Sequence, residues 1–360
     1  MKLLIKPQIK TVCSLTVGTT ITALVAFPSV ASTFSAEPLY QNVSSYEALI
    51  PTTSSSTGFD PTDIYYPESS NSNETFPLAV MLQGALVDKA DYSSFASQVA
   101  SYGFVVAVPN HSRNFFGSPV SGLFPTQEVV NDVLAFVETE NTNSISPITG
   151  IANTDSLGLL GHSFGGSVGL GAIQNECFPV LCTTEFTRPD ALKAGIFYGT
   201  RFGGQNPISP VPPIFNNGIP TGLIGGTLDG VIPLDKVIET YEQVQEPPKA
   251  LITVAGANHY SITNTDNTIR EPIRSTLDQE VAIETIARWS GLFLRAHVAE
   301  DSEAFNYVYS TGDAQDNNVT VNSTTVPESG GTGGLFLLGI SATLVSLAKK
   351  SRNTTSFSQK

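Results

Sequence analysis

The stretch LGLLGHSFGGSVGLGAIQ, residues 157–174, changes character in its middle. Leu157 to Gly161 is a short, continuous apolar run, the pattern of a strand buried on both faces. Small residues alternating with apolar ones follow from Phe164 and read as a helix. Between them lies Gly161-His162-Ser163-Phe164-Gly165, a G-x-S-x-G pentapeptide. The pentapeptide alone is a weak signal, because glycine and serine are common here. Strand, tight turn and helix in that order make it a nucleophile elbow, which lifts a serine hydroxyl above the sheet edge. Gly161, Gly165 and Gly166 keep the turn narrow. The competing reading is a glycine-rich turn with a passive serine.

Working outward, the same alternation recurs. PLAVMLQG (77–84), FVVAVPN (104–110), ALKAGIFYG (191–199), IPTGLIGG (219–226) and KALITVAG (249–256) are further buried strands, and DPTDIYYP (60–67) is an early alternating one. Helices are expected over 91–101, 127–138, around 233–245 and over 281–299. On the second of these Val130, Val133, Leu134 and Val137 share a face. Strands alternating with helices predict an α/β fold: a mostly parallel sheet covered on both faces.

A serine hydroxyl needs a base at neutral pH. His259, in GANHY, follows the strand KALITVAG and is the candidate. His162 lies inside the elbow, His111 lies upstream, and His297 lies mid-helix as a surface or packing residue. The base needs a carboxylate to hold its tautomer. Asp229, in GGTLDGVIP, directly follows the strand IPTGLIGG; Asp235 and Asp190 are the rivals. An oxyanion hole would use the backbone N–H groups of Phe164 and of Ala85, after the first of the buried strands. Leu86, Phe115, Phe116, Phe164 and Tyr198 are candidate pocket residues for an apolar substrate, with core packing as the alternative for each. No H-E-x-x-H, Cys/His cluster, EF-hand spacing or phosphate-binding loop occurs, so no metal or other cofactor is expected.

The two ends read as addresses. Lys2, Lys6 and Lys10 precede an apolar stretch to Phe27 and the small-residue site Ser29-Val30-Ala31. That order predicts a signal peptide over 1–31. An irregular segment is expected over 32–59, the catalytic domain over 60–309, and a linker over 310–325. Residues 326–360 combine Val326-Pro327-Glu328, glycine-rich spacing, an apolar run from Leu335 to Ala348 and the basic Lys349, Lys350 and Arg352. This tail resembles a PEP-CTERM sorting signal, although Ser329 stands where that family has a second proline. The resemblance implies an exosortase-type sorting enzyme as a partner; a simple membrane anchor is the alternative.

The 360-residue chain carries a formal charge of −14. All 32 acidic residues lie between Glu37 and Glu328, against 11 basic ones, a local charge of −21. Such a surface repels nucleic acid and anionic lipid but not a neutral, hydrophobic substrate. Cys13 falls in the signal peptide. Cys177 and Cys182 remain as a short-loop disulfide in an oxidising compartment, with two separate thiols as the alternative. A monomer is expected.

From about Asp60 to Ala299 the chain resembles the α/β-hydrolase superfamily, and within it the chlorophyllase, dienelactone hydrolase and cutinase-like polyesterase group. The carriers are MLQGALVDKADYSSFASQVASYGFVVAVPNH, GHSFGG, GGTLDGVIP and GANHY. The resemblance implies an α/β-hydrolase fold and a triad at Ser163, Asp229 and His259. Phe164 stands where chlorophyllases carry arginine, Gln83-Gly84 replaces their His-Gly, and Ser163 replaces the cysteine of dienelactone hydrolases. The expected activity is hydrolysis of hydrophobic carboxylic esters outside the cytoplasm. The alternatives are a non-catalytic surface binding protein on the same fold, and an acyltransferase or peptidase using the same triad.

Overall fold

The computed structural model describes residues 34–114, 121–203 and 209–326. Its strands are β1 (Val43–Pro51), β2 (Phe59–Pro67), β3 (Phe76–Leu82), β4 (Val105–Pro109), β5 (Ser112–Asn114), β6 (Ser121–Leu123), β7 (Ala152–His162), β8 (Leu192–Tyr198), β9 (Thr221–Gly226), β10 (Lys249–Val254) and β11 (Val319–Thr324). Its α-helices are α1 (Ser93–Ser101), α2 (Glu128–Thr142), α3 (Phe164–Gln174), α4 (Leu234–Gln243), α5 (Gln279–His297) and α6 (Ser302–Asn306). Among the described residues nine strands form one sheet in the order β1-β2-β4-β3-β7-β8-β9-β10-β11, and β5 and β6 pair as a separate two-stranded sheet. The run from β4 to β10 is parallel; β2 joins it antiparallel at one end and β11 at the other.

Period-two alternation sorts the side chains into two cores. Ala79 and Met81 of β3 pack toward α1 and α5, with Tyr92, Phe95, Trp289 and Phe293. Leu78, Val80 and Leu82 pack toward α2, α3 and α4, with Val130, Val133, Val168 and Val237. Both faces are therefore covered, as a parallel sheet requires. Each fully buried Leu, Val or Phe contributes roughly 1.5–3 kcal/mol. This is the α/β-hydrolase fold.

Two expectations are corrected at the sheet's edges. Val43–Pro51, within the segment read as irregular, is an edge strand paired antiparallel with β2 along its length. Val319–Thr324, within the segment read as a linker, pairs with β10. Edge strands have one solvated face, so polar residues alternate with the few that point inward, and the apolar signal is diluted. The Asp316 carboxylate secures the second edge: it accepts from the Trp289 indole at 2.9 Å and pairs with Arg288 at 2.8 Å.

The expected signal peptide and nearly all of the C-terminal signal lie outside the described residues. Among the described residues no helix is long and apolar enough to cross a membrane.

Candidate active site

Ser163 sits between β7 and α3 at φ 54°, ψ −118°. That backbone conformation is costly for a residue with a side chain and persists only where its surroundings hold it. Its N–H donates to the carbonyl of Tyr198 at 2.9 Å, and its carbonyl accepts from Gly166 at 3.1 Å. Gly165 makes the turn possible, since a Cβ there would lie 2.0 Å from the Leu82 carbonyl oxygen.

Asp229 follows β9 and His259 follows β10, so both meet the elbow at the carboxyl end of the parallel strands, where α/β folds bind ligands. His259 Nδ1 lies 2.8 Å from Asp229 Oδ2, and both residues are buried, at 2% and 4% exposure. Asp229 Oδ1 accepts the N–H groups of Val231 at 3.0 Å and Ile232 at 2.6 Å. An ionised carboxylate only accepts, so Nδ1 carries the proton of a neutral His259 and Nε2 presents a lone pair. No hydrogen bond joins Ser163 Oγ to His259 among the described residues. Nucleophile–base contacts often shorten only when substrate binds.

Gly199 is essential to this packing and was not singled out by sequence reading. It has φ 55°, and a Cβ there would fall 3.0 Å from both Asp229 Oδ2 and His259 Nδ1. The rival groups lie elsewhere. Asp235 is an exposed residue in the first turn of α4, and Asp190 is exposed. His111 is buried against Asp60, 2.7 Å away, and His297 bonds Tyr309 at 2.8 Å among aromatic rings.

His162 lies under the site. β7 alternation puts it on the same face as Leu160, toward Tyr92 and Tyr198. Its Nε2 reaches the His259 carbonyl oxygen at 2.9 Å, and its Nδ1 reaches the Tyr92 hydroxyl at 2.9 Å. A carbonyl only accepts, so Nε2 bears the proton and Nδ1 accepts from Tyr92. The Tyr92 oxygen in turn accepts the Gly84 N–H at 2.8 Å. Burial, and then the neighbouring His259, push the His162 pKa well below the ordinary imidazole range. His162 is therefore a neutral link between the turn after β3 and the backbone of His259.

In that turn the Ala85 N–H has no partner among the described residues. The turn is held around it: Leu86 N–H donates to Leu123 at 2.7 Å, Val87 N–H donates to Gly84 at 3.1 Å, and Arg270 donates to the Ala85 carbonyl at 2.9 Å. The Phe164 amide stands in the first turn of α3, at the positive end of its dipole.

The candidate pocket residues divide. Leu86 is 56% exposed with φ 59° and lines an open cleft with Val87, Asp91, Tyr260 and Ile269. Phe164 packs edge-to-face on Phe124, with the Arg113 guanidinium 5.9 Å from its ring centre. Tyr198 is a core residue: it is 1% exposed, belongs to the core on the α5 side, and its hydroxyl donates to the Asn258 carbonyl. The alternation of β8, with Ala194 and Ile196 on the same face, places it there. Phe115 and Phe116 lie outside the described residues.

Cys177 and Cys182 are joined by a disulfide. The loop it closes presents the Val180 carbonyl to Arg113, which also donates to the Phe124 carbonyl at 3.0 Å. Among the described residues no three His, Cys, Asp or Glu side chains are grouped to hold a metal ion.

Residues 26–180 match the PET hydrolase-like family model. The PET hydrolase-like match spans less than half of the chain. It takes in the turn at Gly84 and Ala85, the elbow, and Cys177, and it stops before Asp229 and His259. A search of curated proteins finds no match. The PET hydrolase-like match points to an ester hydrolase of the α/β fold.

Proposed function

We propose that this protein is an exported serine carboxylic-ester hydrolase acting on hydrophobic esters, cutinase-like and extending to polyesters. The observation that carries the reading is the buried Asp229–His259 pair beside a strained serine elbow, with His259 Nε2 left as a base. Support for the substrate class comes from the PET hydrolase-like match and from the rim. Leu86, Val231, Ile269 and Ile273 are all exposed, on the loops that carry Ala85, Asp229 and His259.

In the first half-reaction Ser163 Oγ turns toward His259 Nε2, loses its proton to it, and attacks the ester carbonyl carbon. The carbonyl oxygen becomes an oxyanion facing the N–H groups of Ala85 and Phe164. Asp229 stabilises the imidazolium without taking its proton. The imidazolium then protonates the departing alcohol, leaving an acyl-serine. Water, deprotonated by His259, attacks that acyl group; a second tetrahedral intermediate collapses, and Ser163 recovers its proton.

Export is supported by the basic, apolar and small-residue order of the N-terminus and by the disulfide. The deciding experiment measures turnover of p-nitrophenyl esters of increasing acyl length, and of a polyester film, by the purified protein and by Ser163→Ala. The reading expects turnover in the first and a loss on the order of 10⁶-fold in the second. Turnover unchanged by the substitution would overturn it.

A further inference from the structure

We infer that Glu271 is a positioning residue that holds the loop bearing Asp229 and the loop bearing His259 in one register. The inference rests on the esterase reading above, in which both loops serve Ser163.

Glu271 lies in the connection between β10 and α5, within TNTDNTIREPIR (263–274). Connections in α/β units commonly need only about 2–6 residues, so a connection as long as 255–278 is more than the fold requires. The stretch is well anchored. Asn264 N–H donates to the Asp91 carbonyl at 2.7 Å, and Gln279 Nε2 donates to the Tyr260 carbonyl at 3.0 Å.

Within this stretch Glu271 is only 1% exposed. Glutamate is almost never buried this fully unless its charge is compensated. No cation bridges it among the described residues. Three backbone N–H groups compensate it instead. Oε2 accepts from His259 at 2.9 Å; Oε1 accepts from Gly230 at 3.2 Å and from Ile273 at 2.8 Å. One carboxylate thus touches the backbone of the base and of the residue after the acid. Gly230 admits it, since a Cβ there would lie 2.5 Å from Oε1.

The arrangement continues through the acid loop. Three consecutive amides, those of Gly230, Val231 and Ile232, point at two carboxylates: the first at Glu271 and the others at Asp229. His259 is held at three points, by Glu271 at its N–H, His162 at its carbonyl and Asp229 at Nδ1. Only Nε2 is left to move a proton. Placement errors of about 1 Å cost about 10²-fold in rate, so a group that sets two loops at once bears on turnover without touching substrate.

Glu271→Gln tests this with almost no change of volume. A glutamine has one acceptor oxygen, so in either orientation its NH₂ faces an N–H of one loop. The expected result is a kcat roughly 10–100-fold lower with KM changed by less than about threefold. Amide hydrogen exchange at 229–231 or 258–260 should be at least ~10-fold faster. Gly230→Ala, which pushes a methyl group into Oε1, should give the same split should the first variant not fold. Wild-type kcat together with wild-type exchange in a folded Glu271→Gln would overturn the inference. Absence of Ser163-dependent turnover in the wild type would overturn the esterase reading instead, and the exchange measurement would then decide the link between the loops by itself.

Discussion

His162 Nε2 donates to the carbonyl oxygen of His259 across 2.9 Å, joining two residues 97 positions apart. One histidine thereby serves as a structural strut for the other. Its second nitrogen continues the chain through Tyr92 to the Gly84 amide, so the turn bearing Ala85, the elbow and the His259 backbone share one buried hydrogen-bonded line.

That line must stay neutral, which sets an acid limit on stability. The folded-state pKa of His162 is depressed by burial first and then by His259, and burial lowers that of His297 to about 4. An unfolded chain binds these protons near pH 6.5. Both contributions are therefore fully present above about pH 6.5 and are lost as pH falls toward the folded-state values. For His297 the loss reaches on the order of 3 kcal/mol by pH 4. Urea unfolding between pH 7.5 and 4.5 should show the midpoint falling steadily below pH 6.5; a flat midpoint would contradict the neutral assignment.

Tyr92→Phe removes one hydroxyl and strands two partners, the Gly84 N–H and His162 Nδ1. Buried groups left unpaired cost about 1–3 kcal/mol each. The expected loss is ~2–4 kcal/mol, read by denaturant unfolding, with a reduced kcat because Gly84 precedes Ala85. A variant as stable as the wild type would break the proposed chain at its centre.

Asp229→Asn keeps the shape and reverses one set of partners. An asparagine that turns its oxygen to the Val231 and Ile232 amides presents NH₂ to His259 and selects the wrong tautomer. Comparable substitutions in serine triads lower kcat by about 10⁴-fold. Steady-state kinetics beside circular dichroism would separate this from unfolding.

Replacing Cys177 and Cys182 by serine opens a six-residue loop. The chain-entropy model gives roughly 2 kcal/mol for so small a ring. The freed loop also carries the Val180 carbonyl that holds Arg113 beside Phe164. A loss of thermal stability with a larger KM for bulky esters is expected. Unchanged KM would mean that Phe164 does not shape the substrate site.

Local pattern in the sequence sufficed for the order of β2, β3, β4 and β7–β10 with helices α1–α5 between and after them, for the serine elbow, and for candidate acid and base segments following successive strands. Alternation, turn chemistry and short-ring cysteine spacing are read within a dozen residues, so no tertiary information is needed. The tertiary structure decided what depends on proximity across the chain. Polar edge strands at Val43–Pro51 and Val319–Thr324 owe their place to pairing with β2 and β10, not to their own composition. Tyr198 went to the core because β8 faces α5. Tyr92, His162, Gly199 and Glu271 are ordinary residues in the linear sequence; their roles arise because folding buries them, and a buried polar group must find partners wherever the packing brings them.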